Sequence, residues 1–167
     1  MRRILVLGSS RSDGNTAKMV GLLQEHIEFD VVDLRLLNIG HYDYAHNNAD
    51  DDFHPLMRRI TSDYDQIIFA TPIYWYAMSG IMKVLFDRIT DLLKTEKDTG
   101  RKLRGKQMAL LICGSDEEGT PDFEMPFRES AGYLGMEYLG SVHTWLEGED
   151  VEEEVLRRIE DFAKSLL

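Results

Sequence analysis

A polar stretch near the start of the chain carries side chains suited to binding an anion. Residues 7–16 read LGSSRSDGNT and follow an apolar run that ends at Gly8. Arg11 is a permanent cation that can make a two-pronged contact with phosphate, and the hydroxyls of Ser9, Ser12 and Thr16 can donate hydrogen bonds. A helical pattern follows, and a helix start offers unpaired N–H groups with about half a positive charge. The stretch therefore predicts an anion site, with Asp13 turned to solvent.

A polar turn that caps the helix without binding any ligand is the alternative interpretation of this stretch. Gly, Ser, Asp, Asn and Thr are ordinary residues of caps and turns. Two sharper phosphate motifs are absent. Gly8 and Gly14 are too far apart for a Walker loop, and Asn15 stands where that motif needs lysine. The dinucleotide fingerprint G-x-G-x-x-G does not occur there either.

Two further segments have the composition of ligand-binding loops. Thr71-Pro72 is expected to end the third strand, so that the aromatic residues of IYWY, 73–76, lie in a loop. Exposed aromatic side chains suit a flat apolar ligand, although they could instead pack locally or against another subunit. The segment CGSDEEG, 113–119, follows the fourth strand and is polar and glycine-containing.

Strand and helix patterns alternate along the chain, which is typical of an α/β fold in three layers, α/β/α. Runs such as ILVL, IIFA and ALLIC suit strands covered on both faces, as in a parallel sheet. The predicted strands are Ile4–Leu7, Phe29–Leu34, Gln66–Ala70, Met108–Cys113 and Glu137–Trp145, and the predicted helices begin near Asn15, Asp52, Ser79, Phe123 and Glu149. Residues 94–106 are expected to form an exposed connection.

The predicted sheet explains why the three polar or aromatic segments belong together. If the five parallel strands have the order 2-1-3-4-5, a doubly wound arrangement, the loops after strands one, three and four meet in one crevice. An anion cradle, an aromatic wall and a short polar edge together fit a phosphate joined to a planar ring system.

Composition narrows the class of protein. The chain has 167 residues and a formal net charge of −11, which argues against nucleic acid as a partner. No apolar run is long enough to span a membrane, and no signal-peptide pattern is present, so we expect a cytoplasmic protein. Cys113 is the single cysteine. With no repeat and no convincing linker, residues 1–167 are predicted to form one domain.

The sequence resembles the flavodoxin-like NAD(P)H-dependent FMN reductases, including their iron–sulfur flavoprotein branch. The resemblance rests on GSSRSDGNTAKMV, ATPIYWYAMSGIMKVLFDR and the shorter LLICGS, in that order, and it extends to about residue 145. It implies non-covalently bound FMN, with NAD(P)H as the co-substrate. The positions that match the family's FMN site are Ser9, Arg11, Asn15, Thr16, Pro72, Ile73, Tyr74, Trp75, Cys113, Gly114 and Ser115.

The resemblance also implies a homodimer or homotetramer, since the helix after the aromatic loop lies at the interface in family members. The predicted Ser79–Leu93 helix has an apolar face wider than one sheet contact requires.

One segment departs from the family pattern. The iron–sulfur branch has closely spaced cysteines before the third strand, whereas this chain has IGHYDYAHNNADDDF there, so a four-thiolate cluster is impossible. His41, His46 and the nearby aspartates could hold a metal by type, but a solvated loop is the expectation. Cys113 could be a nucleophile, although a strand end favours a core or backbone-contact role.

The predicted function is therefore that of an FMN-dependent oxidoreductase. It would pass electrons from NAD(P)H through bound FMN, which carries the chemistry, to a flavin, a quinone or another small acceptor. A flavodoxin-type carrier that binds FMN without oxidising NAD(P)H is the alternative, and the net charge suits docking to a basic redox partner. A module that kept the fold but binds no flavin is a third possibility.

Overall fold

The computed structural model describes residues 1–148 and 150–167. Its core is a sheet of five parallel strands with the order β2-β1-β3-β5-β6, and the two-residue strand β4 pairs antiparallel with β3. The strands are β1 (Arg3–Leu7), β2 (Asp30–Asp33), β3 (Gln66–Tyr74), β4 (Ala77–Met78), β5 (Gln107–Gly114) and β6 (Glu137–Trp145). Counted over the parallel strands alone, this is the predicted order 2-1-3-4-5.

Helices cover both faces of the sheet and produce the predicted three layers. Helices α1 and α6 pack on one face, and the other helices lie on the opposite face. The helices are α1 (Asn15–Gln24), α2 (Phe53–Asp63), α3 (Gly80–Lys94), α4 (Lys97–Arg101), α5 (Met125–Leu134) and α6 (Glu153–Ser165), and a 3₁₀ turn spans Leu34–Leu36. None of these helices is both long enough and apolar enough to cross a membrane.

The continuous apolar runs supply both layers of the core. In β1, Ile4 and Val6 join one cluster of buried residues, while Leu5 and Leu7 join the other. Successive side chains of a strand point to opposite faces, so a strand buried on both faces needs an unbroken apolar run. The prediction of a parallel sheet from this pattern is confirmed.

Two predicted features differ from the structure. Residues 94–106 are not simply an exposed connection, because they contain α4 and the buried side chain of Leu103. The C-terminal helix begins at Glu153, later than predicted, and the predicted start at Glu149 lies outside the described residues.

Candidate functional site

The loop after β1 ends in a helix whose first turn has no side-chain cap. Gly8 N donates to Ala70 O at 2.8 Å, and Gly14 is the N-cap residue of α1. Gly14 provides no side-chain hydrogen bond to this end of the helix, and the first turn of α1 has no acidic residue. The first N–H groups of a helix need partners from outside it. The N-cap is a glycine, so the N–H groups of the first turn are left for water or a ligand.

The charged side chains of this loop are placed as an anion site requires. Arg11 is exposed and lies over Gly14, where a Cβ atom would be 3.2 Å from Arg11 Nε. Within residues 1–148 and 150–167, Arg11 forms no ion pair, so its charge is free for a ligand. Asp13 is exposed, as expected. Ser9 is buried, and its hydroxyl accepts a hydrogen bond from Arg11 N at 3.3 Å.

Cys113 lies at the end of β5, and its side chain points into the core. It is 4% exposed and belongs to the cluster beneath α1. Burial raises the pKa of the thiol, and hydrogen bonds with Thr16 and Thr144 only partly oppose this effect. A neutral buried thiol is a poor nucleophile, so Cys113 can serve a ligand through its backbone.

The aromatic segment is a β-hairpin rather than the predicted loop. Strand β3 continues through Pro72 and Ile73 to Tyr74, which pairs with Ala77 of β4. Proline disrupts a sheet only where its missing N–H is needed. At Pro72 the neighbouring strand β1 has already ended, so this residue is paired only with Cys113 of β5 and the proline is tolerated.

Trp75 and Tyr76 form the two-residue turn of this hairpin and project into solvent. Their φ angles are 50° and 63°, and they are 93% and 77% exposed. Left-handed backbone costs an L-residue about 1–2 kcal/mol. Trp75 and Tyr76 are therefore not packed locally, and both side chains are available to a ligand or to another subunit.

Hydrogen bonds join the hairpin to the loop after β1. The hydroxyls of Tyr74 and Ser10 are 2.7 Å apart. Ser79 Oγ donates to Gly8 O at 2.6 Å and accepts from Met82 N, which caps α3. Thr71 Oγ1 accepts from Ser79 N at 3.1 Å. Ser79 and Thr71 were missed, although a serine directly before an apolar helix is a recognisable N-cap signal.

Substitution of Ser79 with alanine is expected to lower the free energy of unfolding by about 2 kcal/mol. The change removes the α3 cap and leaves the Gly8 carbonyl unpaired. Chemical denaturation measures the loss. Ser62→Ala is the matched control, since the Ser62 hydroxyl is exposed and bonds only to residues of its own helix, α2. Equal losses of stability in the two variants would contradict this role of Ser79.

The loop after β5 completes a cleft with the hairpin. The cleft has a volume of about 290 Å³ and is lined by Ile73, Trp75, Tyr76, Gly114, Ser115, Asp116, Gly119 and Thr120. The structure therefore brings together the second and third predicted segments.

His143 supports this loop from β6 and was missed by the sequence analysis. Its Nε2 lies 2.9 Å from Asp116 O, and its ring stacks on Trp145 with 5.8 Å between centroids. A Cβ atom on Gly114 would be 2.7 Å from His143 Cε1, so a side chain at this position would clash with the imidazole. The close approach of the His143 ring to the backbone explains why position 114 is a glycine.

Comparison with known proteins identifies the family. The profile of the NADPH-dependent FMN reductases matches residues 1–149. The chain belongs to this family. The predicted resemblance is thus confirmed, and with it the assignment as an FMN-dependent oxidoreductase that uses NAD(P)H.

One relative and two solved structures illustrate what the chain is similar to. YwqN of Bacillus subtilis (strain 168), named as an NAD(P)H-dependent FMN-containing oxidoreductase, is 28% identical over 153 residues, which cover 85% of this chain and 83% of YwqN. The FMN-dependent NADH-azoreductase from Bacillus anthracis, solved with FMN, has a TM-score of 0.72 at 12% identity and 99% coverage of both chains. An NADPH-quinone reductase from P. pentosaceus has a TM-score of 0.69 at 16% identity, covering 99% of this chain and 97% of that one. These two likenesses concern the fold, which is flavodoxin-like.

The segment that departs from the iron–sulfur branch of the FMN reductases is organised around a buried arginine. Arg88 of α3 is 1% exposed and donates to Asp51, to Asp91 Oδ2 at 2.6 Å and to Gly40 O at 3.0 Å. His46 Nδ1 lies 2.9 Å from Asp91 Oδ1. Many of residues 40–51 are exposed, as expected of a solvated loop, but these contacts also hold the segment against α3.

Proposed function

We propose that FMN binds with its phosphate at the start of α1 and its ring in the cleft between the hairpin and the loop after β5. The observation that carries this proposal is that the loop after β1 and the hairpin lie at the same edge of the sheet. The loop that carries the unpaired Arg11 contacts the hairpin through Ser10 and Tyr74, whose hydroxyls are 2.7 Å apart. The exposed Trp75 and Tyr76 follow directly in the hairpin turn. A phosphate attached to a flat aromatic ring would pair with the cation and the helix start, and its ring would cover the exposed aromatic side chains.

Each part of the chain would have a distinct role toward the cofactor. The N–H groups of residues 15–17 and the Arg11 guanidinium would hold the phosphate, with the buried Ser9 and Thr16 shaping the loop. Trp75 would cover the ring, and the backbone of residues 114 and 115 would border its edge. Bound FMN supplies the hydride acceptor and the electron donor, and the protein supplies placement and electrostatics.

The proposed acceptor is a small molecule such as free flavin or a quinone. The cleft opens to solvent beside Trp75, which leaves room for a nicotinamide and an acceptor to enter in turn. NADPH and NADH oxidation should be followed with free FMN and with a small quinone, alongside the absorption spectrum of the purified protein. We expect flavin absorption and steady turnover that falls in Trp75→Ala.

Two results of this experiment would contradict the proposal. Bound flavin with negligible oxidation of either nucleotide would favour a flavodoxin-type electron carrier. Colourless protein that takes up no added FMN would favour a module without a flavin.

We also propose a homodimer or homotetramer assembled through α3. Apolar side chains on its outer side are only half-buried, and a groove of about 710 Å³ separates α3 from α5. Tyr133 of α5 borders this groove and is 78% exposed. A second copy would cover these surfaces. Sedimentation that shows only monomer at micromolar concentration would contradict this assembly.

A cytoplasmic location and a single domain over residues 1–167 complete the proposal. Support for the single domain comes from the sheet, because both core clusters pack against the same strands. The buried thiol of Cys113 requires no oxidising compartment.

A further inference from the structure

An arginine from the neighbouring strand reaches the loop after β1. Arg35 lies in the 3₁₀ turn that follows β2, and its Nε donates to Ser12 Oγ at 3.1 Å. The turn is held by Asp33 Oδ1, which accepts from Arg35 N at 2.9 Å. The turn after β2 therefore places this guanidinium beside the proposed phosphate site.

The charge of Arg35 is not neutralised within the part of the chain that the structure describes. Some surface arginines pair with carboxylates in this acidic chain, as Arg58 does with Glu96 and Arg157 with Glu154. Arg35 is exposed and forms no ion pair in residues 1–148 and 150–167, with neither Asp33 nor Asp13 at ion-pair distance. Its hydrogen bond to Ser12 uses Nε, so its terminal amino groups remain available for an anion.

The other side of Arg35 borders a cavity that would not repel an anion. The cavity measures about 440 Å³, and its lining in the described chain contains no acidic residue. Besides Arg35 it is lined by Leu34, Leu37, Ile39, His41, Gly80, Ile81 and Val84. A mostly aliphatic cavity of this size is typical of a small-molecule site with a few polar groups at its rim.

We propose that Arg35 is a second phosphate ligand, which lies near Arg11 and binds a phosphate monoester beside this loop. Two bound molecules could supply such a dianion: FMN, or NADPH through its 2′-phosphate. The inference rests on the proposed function, because it assigns a further residue to the same site. Where FMN supplies the dianion, a guanidinium from each of two segments suits it better than one, since each provides a charge-assisted hydrogen bond.

Arg35→Gln tests this inference because glutamine removes the charge and keeps an amide that can reach Ser12. Dissociation constants of FMN and riboflavin should be measured by flavin fluorescence on flavin-free protein, and KM for NADPH and NADH on the FMN-loaded enzyme. If FMN supplies the phosphate, its dissociation constant rises about tenfold to hundredfold while that of riboflavin is unchanged. If NADPH supplies it, KM for NADPH rises by a similar factor while KM for NADH is unchanged.

Arg104→Gln is the matched control, since Arg104 is exposed, carries the same charge and lies shortly before β5, at the opposite end of the parallel strands. The inference would be overturned if Arg35→Gln had the same dissociation constants and KM values as the wild type. It would also be overturned if the variant lost affinity equally for ligands with and without the phosphate. Neither result would contradict the proposed function. A wild type that binds FMN no more tightly than riboflavin would overturn the phosphate site of the proposed function and this inference with it.

Discussion

Arg88→Met is expected to lower the free energy of unfolding by about 3–5 kcal/mol, because it leaves buried carboxylates without their cation. Asp51 and Asp91 both pair with this guanidinium, and their side chains are 7% and 5% exposed. Arg88 also donates to the carbonyls of Gly40 and Asn48, which would lose their partner. The segment from residue 40 to 51 should detach from α3 as a result.

Chemical denaturation of Arg88→Met measures this loss, and Lys83→Met provides the control on the same helix. Lys83 pairs with Asp87 at the surface, where both side chains are about half exposed, so its removal should cost less than about 1 kcal/mol. A loss below 1 kcal/mol in Arg88→Met would contradict the structural role assigned to the arginine.

The same network makes stability depend on pH. Burial alone would raise the pKa of Asp51, but hydrogen bonds from Arg88 and the backbone outweigh it and lower that pKa below its ordinary value. A lowered pKa stabilises the fold above the pKa of the unfolded state, and this contribution is lost as pH falls through the lowered value. The free energy of unfolding of the wild type should therefore fall in acid more steeply than that of Asp51→Asn. Parallel pH profiles of the two proteins would contradict this linkage.

Arg11→Gln is expected to weaken FMN binding by about tenfold to hundredfold, which corresponds to one charge-assisted hydrogen bond. Riboflavin has no phosphate, so its affinity should not change. Fluorescence titration of both flavins measures the difference. The guanidinium has no carboxylate partner in residues 1–148 and 150–167, so the loss reflects the ligand rather than a broken ion pair.

Asp13→Asn separates this effect from a general change of charge on the loop. Asp13 is exposed on the same loop, and removing its negative charge should leave FMN affinity unchanged or slightly improved. If Arg11→Gln retained FMN as well as the wild type, the phosphate would have to bind elsewhere.

Periodic patterns explain why much of the fold was predictable. Unbroken apolar runs identify strands buried on both faces, and polar residues at their ends identify the edge of the sheet. The run Ile4–Leu7 followed by Gly8 and Ser9 predicted both the buried strand β1 and the loop at its end, where the proposed site begins.

Long-range contacts explain what the sequence analysis missed. The role of Ser79 depends on the carbonyl of Gly8, 71 residues away, and that of His143 depends on the backbone of Asp116. The role of Arg88 could not be predicted, because nothing local shows that Asp51 folds against it. The hairpin was read as a loop, since proline at position 72 signals a strand end unless the neighbouring strand has already stopped.

A crystal structure of the protein grown with FMN tests the proposed site most directly. We expect the phosphate against the N–H groups at the start of α1 and within hydrogen-bond distance of Arg11, and the ring in the cleft beside Trp75 and Gly114. Density for FMN at another place, or a ring in the cleft with its phosphate turned away from α1, would contradict it.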